Sequence, residues 1–534
     1  MEENTKMKIL LLLATVFSCE CSKVLMILPL GSASHKNIVT PLAESLGQRG
    51  HQVTVASLHA GSANASRSFT DLVAADAWNS IKKVTGEFDV FKMREASGGK
   101  NVNSQVMKKV LHHLPEYCNA FLRDPGVQDA WRTKPDLILL PAFMNECGLA
   151  LVHKFKVPFM YVTTSGLTPW TADLLGNPEH PAYVPNQYLP YRDHMNLWER
   201  TLNTVVRFIS PYLRNRLVMS RLDGVVQRFL KDPFVSLSEV EKNVSLVLVN
   251  SHYSLGYPRP LLPNVVEVGG MHCRNPRPIQ DAELKHFLDS SPVPVVFFSL
   301  GSSIRSDQLP ADLRNALVSA FARLPYRILW KWEGAPIAGL SANVLTRAWL
   351  PQQDVLGHEK VRAFLTHGGL LSMQEAIYHN VPMVGIPLMS DQHLNVRQVV
   401  NLGIGRELTL ETMNSHSIME AITAVIENQS YRDQVKIKSA LLKDQETPSL
   451  DRAVYWTEHV LRHGGAQHLR SAAANMSIHQ YMMIDVIAVL TLAAVVLLFC
   501  LKWLLKFFYC VLLFALKKAS TKLQKSIKGH LHIE

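Results

Sequence analysis

Cysteine is scarce in this chain: seven residues in 534. With an N-terminal leader and a C-terminal apolar run set aside, only Cys118, Cys147 and Cys273 remain, too few for a disulfide framework. No cysteine or histidine group has the spacing of a zinc site. His112-His113 would face two ways on a helix and reads as surface or core. Internal repeats and low-complexity tracts are also missing, which argues against a solenoid or a disordered scaffold. Apolar runs of bilayer length are nearly absent; one alone, near the C-terminus, is long enough.

Lys and Arg number 55 against 44 Asp and Glu, a formal net charge of +11. Much of the excess follows that run: Lys502, Lys506, Lys517, Lys518, Lys522, Lys525 and Lys528. One-sided lysines beside a span mark the cytosolic side, so the basic balance is a topology signal rather than a nucleic-acid signal. At the other end Lys6 and Lys8 precede an apolar run, Ile9 to Phe17, and small residues around Ser18 to Ser22, the layout of a cleavable leader. The expected topology is single-pass type I in the endoplasmic reticulum membrane, with the body luminal. Sequons at Asn64, Asn243, Asn428 and Asn475 agree with it.

The richest stretch runs from Trp349 to Gln392. It holds Trp349-Leu-Pro351-Gln352-Gln353-Asp354, Thr366-His367-Gly368-Gly369, Ser372, Glu375 and Asp391-Gln392. A short apolar strand ending at Thr366 turns through glycines into a helical pattern. Such a turn presents free backbone N–H groups and a helix dipole, which suit a phosphate. Trp349 can stack on a flat base, Glu375 can accept from ribose hydroxyls, and Asp391-Gln392 offers acceptors to a sugar. Upstream, the apolar strand Val295–Leu300 leads into Gly301-Ser302-Ser303.

This ordered set resembles the signature of the UDP-glycosyltransferases, the membrane-bound, UDP-glucuronosyltransferase-like branch in particular. The resemblance implies that Trp349 and Gln352 contact uracil, His367 phosphate, Glu375 ribose and Asp391-Gln392 the hexose. Ser302, Ser303, Gly369 and Ser372 then border the donor. Pro258 to His272 looks like the family's linker, with Arg259 reaching the donor or left as a solvated loop residue. One position departs: a polar residue is usual two after the second glycine, and here it is Leu371.

At the N-terminal end, Val24–Leu28 reads as a buried strand, Gly31 to His35 as a turn, and Leu42, Ala43 and Leu46 as helix. His35 then lies outside the carboxyl end of a first strand, where ligands bind in open α/β sheets. The family places its catalytic base there. A sugar acceptor hydroxyl needs such a base, and imidazole works near neutral pH. His51 reads as structural. Family members often carry an acid after the strand matching Pro135–Leu140, but this chain has Pro141. Glu146, in the Asn145-Glu146-Cys147 stretch that looks invertebrate, is the nearest carboxylate to orient His35; alternatively it is a helix-start residue. Asp136 sits at the strand's far end and reads as structural.

The expected fold is α/β of the GT-B kind, two Rossmann-like domains facing across a cleft, plus a C-terminal transmembrane helix. The expected boundaries are a signal peptide at 1–21, an acceptor domain at 22–257 and a linker at 258–292. A UDP-sugar domain at 293–452 and a helical segment packing back at 453–480 follow, then a span at 481–501 and a basic tail at 502–534. Within the first half, Ala74 to Leu122 and Leu197 to Phe229 read as acceptor-side elements. The expected activity is inverting transfer of a hexose, UDP-glucose favoured, to a hydroxyl of a small lipophilic acceptor with His35 as base. The UDP-sugar is a co-substrate; no cofactor or metal is implied. Expected partners are the donor, the acceptor and the membrane, no nucleic acid, with homo-oligomerisation left open. The alternatives are a glucuronosyltransferase, a ceramide-type galactosyltransferase, or a catalytically silent lipophile binder.

Overall fold

The computed structural model describes residues 21–31, 33–59, 68–85, 88–98 and 102–530. Nearly all of the expected leader, Ser32 and the Asn64 sequon lie outside them. Two parallel sheets form the body. The first is built from β1 (Lys23–Leu28), β2 (Gln52–Ser57), β3 (Thr70–Val73), β4 (Leu137–Pro141), β5 (Phe159–Val162), β6 (Leu246–Val249) and β7 (Val265–Glu267), in the order β3-β2-β1-β4-β5-β6-β7. The second comprises β8 (Val295–Ser299), β9 (Arg327–Lys331), β10 (Val344–Arg347), β11 (Val361–Thr366), β12 (Met383–Gly385) and β13 (Gly405–Glu407), in the order β10-β9-β8-β11-β12-β13.

Local sequence explains the strands. β1, β4 and β8 are near-continuous apolar runs, and Val24–Leu28, Leu137–Pro141 and Val295–Ser299 are buried throughout. That is the pattern of parallel strands covered on both faces by helices. The helix Ala33–Gln48 covers one face, burying Ile38, Val39, Leu42, Ala43 and Leu46 at helical spacing.

In each sheet the strand order reverses once. The chain winds from β1 to β3 on one side and returns to β4 on the other; β8 and β11 repeat the arrangement. The loops leaving β1 and β4, and those leaving β8 and β11, therefore border the crevices in which such sheets bind ligands.

Three features tie the halves together. First, residues 258–292 are not a bare linker: Val265–Glu267 completes the first sheet, and the helix Ala282–Asp289 gives Leu284 and Leu288 to the second domain's core. Prolines at 258, 260 and 263 obscure that short strand in the sequence. Second, part of the Ala74–Leu122 stretch packs on the opposite domain. Val90, Phe91 and Val102 join Phe298 and Phe321 in one apolar cluster, and Ser390 N donates to Asn103 Oδ1 at 2.6 Å. Third, the helix Ser449–Arg462 buries Ala453, Val454 and Val460 among Val24, Leu42 and Val266 of the first domain. Glu458 on it pairs with Arg49 at 3.3 Å and with His51 at 3.5 Å, which gives His51 its structural place.

Cys118 and Cys147 are joined, closing a separation of 29 residues. The cysteines are too few for a framework, but this bridge ties the helix Val102–Arg123 to the loop after β4. Constraining a loop of that length in the unfolded chain stabilises by about 3–4 kcal/mol.

A separate unit begins at Ala472. Its main element is a continuous helix, Ile484–His530, of which Ile484–Lys525 is long and apolar enough to cross a membrane. It starts at Ile484 rather than Tyr481, because Met483 adopts a left-handed conformation with φ 51°. Phe507 to Leu516 continues the same helix. At 1.5 Å per residue a helix of 47 residues is about 70 Å long, so it far exceeds a hydrocarbon core of roughly 30 Å.

Candidate active site

The residues expected to meet the donor gather around the loops after β8 and β11. His367 follows β11 and is buried, with its ring laid against two glycines. A Cβ on Gly301 would come within 2.5 Å of His367 Cε1, and one on Gly369 within 2.7 Å of Nε2. Gly301 (φ 80°) and Gly368 (φ 82°) also take left-handed turns that glycine adopts readily. Gly369 then caps the helix Leu370–Tyr378 with no side chain engaging its free N–H groups. Burial, aided by the charge of Lys331, lowers the His367 pKa to about 4, so the free ring is neutral at physiological pH. Ser302 and Ser303 occupy the turn after β8, and the buried Ser302 hydroxyl lacks a hydrogen-bond partner.

Beside this turn, Gln352 Nε2 donates to Ser372 Oγ at 2.9 Å and to Glu375 Oε2 at 2.5 Å. Three residues spread over twenty-odd positions of sequence thus meet in one hydrogen-bonded group. Trp349 is 61% exposed, unusual for a tryptophan and suited to a stacking platform. Lys331 Nζ lies 5.6 Å from the centre of its ring.

Asp391 precedes the helix Gln392–Asn401. Its Oδ2 accepts from Asn395 Nδ2 at 3.0 Å, and burial raises its pKa. Gln392 Oε1 accepts from Leu388 N and Met389 N at 2.9 and 3.0 Å, so that oxygen shapes its own loop. Ser390, immediately before Asp391, is held at φ 59°, a conformation costly for a residue with a Cβ. Leu371, the apolar departure, packs against the core of the first domain. The start of the Leu370–Tyr378 helix therefore abuts the opposite half.

On that half His35 lies in the first turn of the helix Ala33–Gln48, one step past the expected turn. It stands after β1, and its Cβ and Cγ press on Gly31 so closely that a Cβ there would sit 2.9 Å away. Burial, then His59, lowers its pKa to about 4. His59 Nε2 is 2.8 Å from Gly31 O, and Lys36 Nζ donates to His59 O at 2.6 Å. The loop after β4 meets the β1 loop through Asn145, whose Oδ1 accepts from Leu30 N at 2.8 Å.

Glu146 requires a correction. Its hydrogen bonds go to Arg214, at 3.0 and 3.2 Å, rather than to His35. Arg214 also binds Glu241 at 2.6 and 2.9 Å, and Tyr161 donates to Glu241 at 2.6 Å. All four are buried. A carboxylate in so dry a place keeps to the guanidinium within hydrogen-bond reach. Arg259 is also committed elsewhere: it lines the interdomain cleft, with Nη1 3.5 Å from Glu179. Asp136 accepts from Lys23 N at 2.7 Å and clamps the strand end remote from the cleft.

Two residues escaped sequence reasoning. Lys331 ends β9, pairs with Glu333 and sets the field around His367 and Trp349. Arg214 sits in a long amphipathic helix with nothing local to single it out. The Arg274–Asp354 ion pair and the bonds of Gln353 to Arg274 N and His272 O fasten the donor loop to the crossing segment.

Burial raises the Glu375 pKa to about 7. A carboxyl whose folded value exceeds its unfolded one favours folding while protonated, and that contribution is lost as pH rises through 7. The gain of Glu375→Gln on wild type should therefore build at up to about 1.4 kcal/mol per pH unit between about pH 4.5 and 7, the unfolded and folded values, and level off above that. Parallel thermal-stability curves for the two proteins across that range would show that the carboxyl ionises without penalty.

The comparisons with known proteins fall on this geometry. The model of a family described as "UDP-glucoronosyl and UDP-glucosyl transferase" matches residues 22–519. The chain is 31% identical to UDP-glycosyltransferase UGT5 of Dactylopius coccus over 95% of its own length and 96% of the relative's. It is 33% identical to the 2-hydroxyacylsphingosine 1-beta-galactosyltransferase of Homo sapiens, covering 98% and 95%. The calicheamicin glycosyltransferase CalG4 superposes with a TM-score of 0.56 at 18% identity, over 83% of this chain and 99% of that one, a likeness of the GT-B fold. A parallel pair of sheets with a His-Gly-Gly turn at the second switch point thus carries a family signature from end to end, and the chain belongs to the UDP-glycosyltransferases.

Proposed function

We propose that the chain transfers a hexose from a UDP-sugar, with inversion, to a hydroxyl of a small lipophilic acceptor, with His35 as general base. The observation that carries this reading is the placing of two neutral histidines at the two switch points, His35 after β1 and His367 after β11. His35 accepts the hydroxyl proton as the oxygen attacks the anomeric carbon, and UDP departs from the opposite face. The diphosphate is received by the free N–H groups at Gly369–Leu370 and by His367, dipoles fixed before the charge develops. An anionic diphosphate in the cleft also stabilises the imidazolium that His35 becomes, offsetting the burial that holds its pKa low. Trp349 supports uracil, Gln352 and Glu375 the nucleoside, and Asp391 and Gln392 the hexose.

A neutral hexose fits this site better than glucuronate. The two arginines that line the cleft with Asp391, Arg207 and Arg259, are already balanced by Glu179, and Asp391 offers an acceptor for hydroxyls rather than a partner for a carboxylate. The test is a panel of UDP-glucose, UDP-glucuronate and UDP-galactose with one phenol acceptor. Turnover with UDP-glucose should lead; turnover with UDP-glucuronate alone would overturn the donor assignment. In the same assay Asp391→Ala should lose UDP-glucose affinity and keep UDP affinity, while His367→Ala loses both. Equal losses in both variants would show the roles misallocated.

The compartment follows from the chain's own asymmetry: a leader, a buried disulfide suited to an oxidising lumen, and lysines after the apolar helix. We place the body in the lumen of the endoplasmic reticulum and the lysine tail in the cytosol. Protease added to sealed microsomes should trim the tail and spare the body; digestion of the body would reverse the orientation.

A further inference from the structure

One group that reaches the turn carrying His35 comes from strand β2, on the side of β1 away from β4. His59 lies two residues past the end of β2, and its Nε2 is 2.8 Å from Gly31 O. A carbonyl oxygen has only lone pairs to offer, so Nε2 carries the hydrogen and donates it. Gly31 in turn touches His35. At φ 144° it takes a backbone conformation open to glycine, and a Cβ on it would sit 2.9 Å from His35 Cβ and Cγ. The hydrogen bond from His59 therefore ends on a residue against which His35 is laid.

His59 is itself held in place. Ser57 Oγ donates to His59 O at 2.9 Å, and Lys36 Nζ donates to the same oxygen at 2.6 Å. Lys36 follows His35 in the chain and is buried, and its ammonium also pairs with Asp71 Oδ1 of β3 at 2.5 Å. The His59 ring meets Trp78 of the helix Ala75–Thr85 in a T-shaped contact, with 4.7 Å between ring centres. A ring pinned at its backbone and against an indole has little freedom to release Gly31 O.

Its charge suits a neighbour of a base. Burial lowers the His59 pKa, and the cations Lys36 and Lys82 add to it against the Gly31 hydrogen bond, so the ring is neutral at physiological pH. Asp71 faces the Lys36 ammonium, and His35 is a further titratable neighbour. A neutral ring leaves the imidazolium that forms on His35 unopposed, whereas a charged one would repel it. Pro141 ends β4 where family members often carry an acid, and Glu146 is turned to Arg214. Support for the His35 turn from the β2 side therefore carries more weight in this chain.

We propose that His59 is a positioning residue for His35: by donating to Gly31 O it holds the glycine turn on which His35 rests, and so aims the His35 imidazole at the acceptor hydroxyl. The proposal rests on His35 being the general base. The test uses the full-length protein in detergent, with UDP-glucose and a phenol acceptor. His59→Ala should lower kcat about 10–100-fold and leave UDP affinity within about twofold, because a small misplacement of a catalytic group is costly. His59→Gln, whose amide can still donate to Gly31 O, should recover kcat to within about fivefold of wild type. The acid limb of its kcat/KM profile should lie at higher pH than that of wild type, since the charge His59 gains in acid no longer opposes protonation of His35. In a His35→Ala background, His59→Ala should change the residual turnover by less than about twofold. Wild-type turnover in His59→Ala would overturn the positioning, as would His59→Gln as slow as His59→Ala, an unmoved acid limb, or a full His59→Ala loss in the His35→Ala background. Should His59→Ala not fold, His59→Asn takes its place: its amide is too short to reach Gly31 O, and a kcat equal to that of His59→Gln would overturn the proposal. Turnover of His35→Ala near that of wild type would sink the base reading and this proposal with it; loss in His35→Ala with none in His59→Ala would sink the positioning alone.

Discussion

Turnover should fall about 10²–10⁴-fold when His35 is replaced by alanine, with UDP affinity within about twofold of wild type. The split follows from position. His35 stands in the first turn of the helix after β1, whereas His367, Gln352, Ser372 and Glu375 lie on the turn and helices that follow β10 and β11 in the other sheet. The pH profile adds a second readout. Because burial and His59 lower the His35 pKa to about 4, kcat/KM of wild type should stay level down to about pH 5 and decline only below it. A decline beginning near 6.5 would mean that the working base is a solvated imidazole. Turnover of His35→Ala within a few-fold of wild type would end the assignment.

Loss of Arg214 should be the most destabilising single change in the body. Arg214→Ala strips the shared cation from Glu146 and Glu241 and leaves two buried carboxylates facing each other, a loss of about 3–5 kcal/mol. Burial already raises the Glu146 pKa, and without the guanidinium it would rise further. The destabilisation should therefore be greatest above neutral pH and shrink in mild acid, where the Glu146 carboxyl can protonate. Glu146→Gln should cost less, because Arg214 keeps Glu241. Denaturant unfolding of the three proteins at pH 5.5 and 8 measures this, and a loss under about 1 kcal/mol for Arg214→Ala at pH 8 would show that water reaches the cluster. Activity should suffer too, since Glu146 stands between Asn145, which holds Leu30 N, and Cys147, which is bridged to Cys118.

What could be read in the sequence was whatever lies close together along it. The run from Trp349 to Gln392 contributes Leu370, Met373, Gln374 and Asp391 to one wall of the cleft, and its resemblance to the family signature is what brought Gln352, Ser372 and Glu375 to one ligand. The strand patterns of Val24–Leu28 and Val295–Ser299 gave two parallel sheets because apolar residues on both faces leave few other choices. Contacts made at long range left no such trace. Glu146 is the nearest carboxylate to the β1 loop by sequence, but its cation comes from 68 positions away, with nothing local to link the two. Leu371 reads as a lost polar contact until the first domain is seen packed against it. The Val90–Val102 region reads as acceptor-side because it falls in the first half, but its apolar side chains are buried against Phe298 and Phe321.

The chain passes between the two sheets twice, once after β7 and once ahead of Ser449, and the passages are stitched together where Ser449 Oγ donates to Gly269 O at 2.8 Å. A single tether would let the halves swivel like beads on a string. Two tethers fastened side by side behave as the spine of a book: they permit the covers to part about one axis and resist twisting about any other. Gly269 suits that spine, because a Cβ there would sit 2.5 Å from Ser251 O. On the mechanism proposed above, each closing of the covers returns His35 and the His367 turn to the same alignment, so the line of attack is set by the binding and need not be found anew by each incoming substrate.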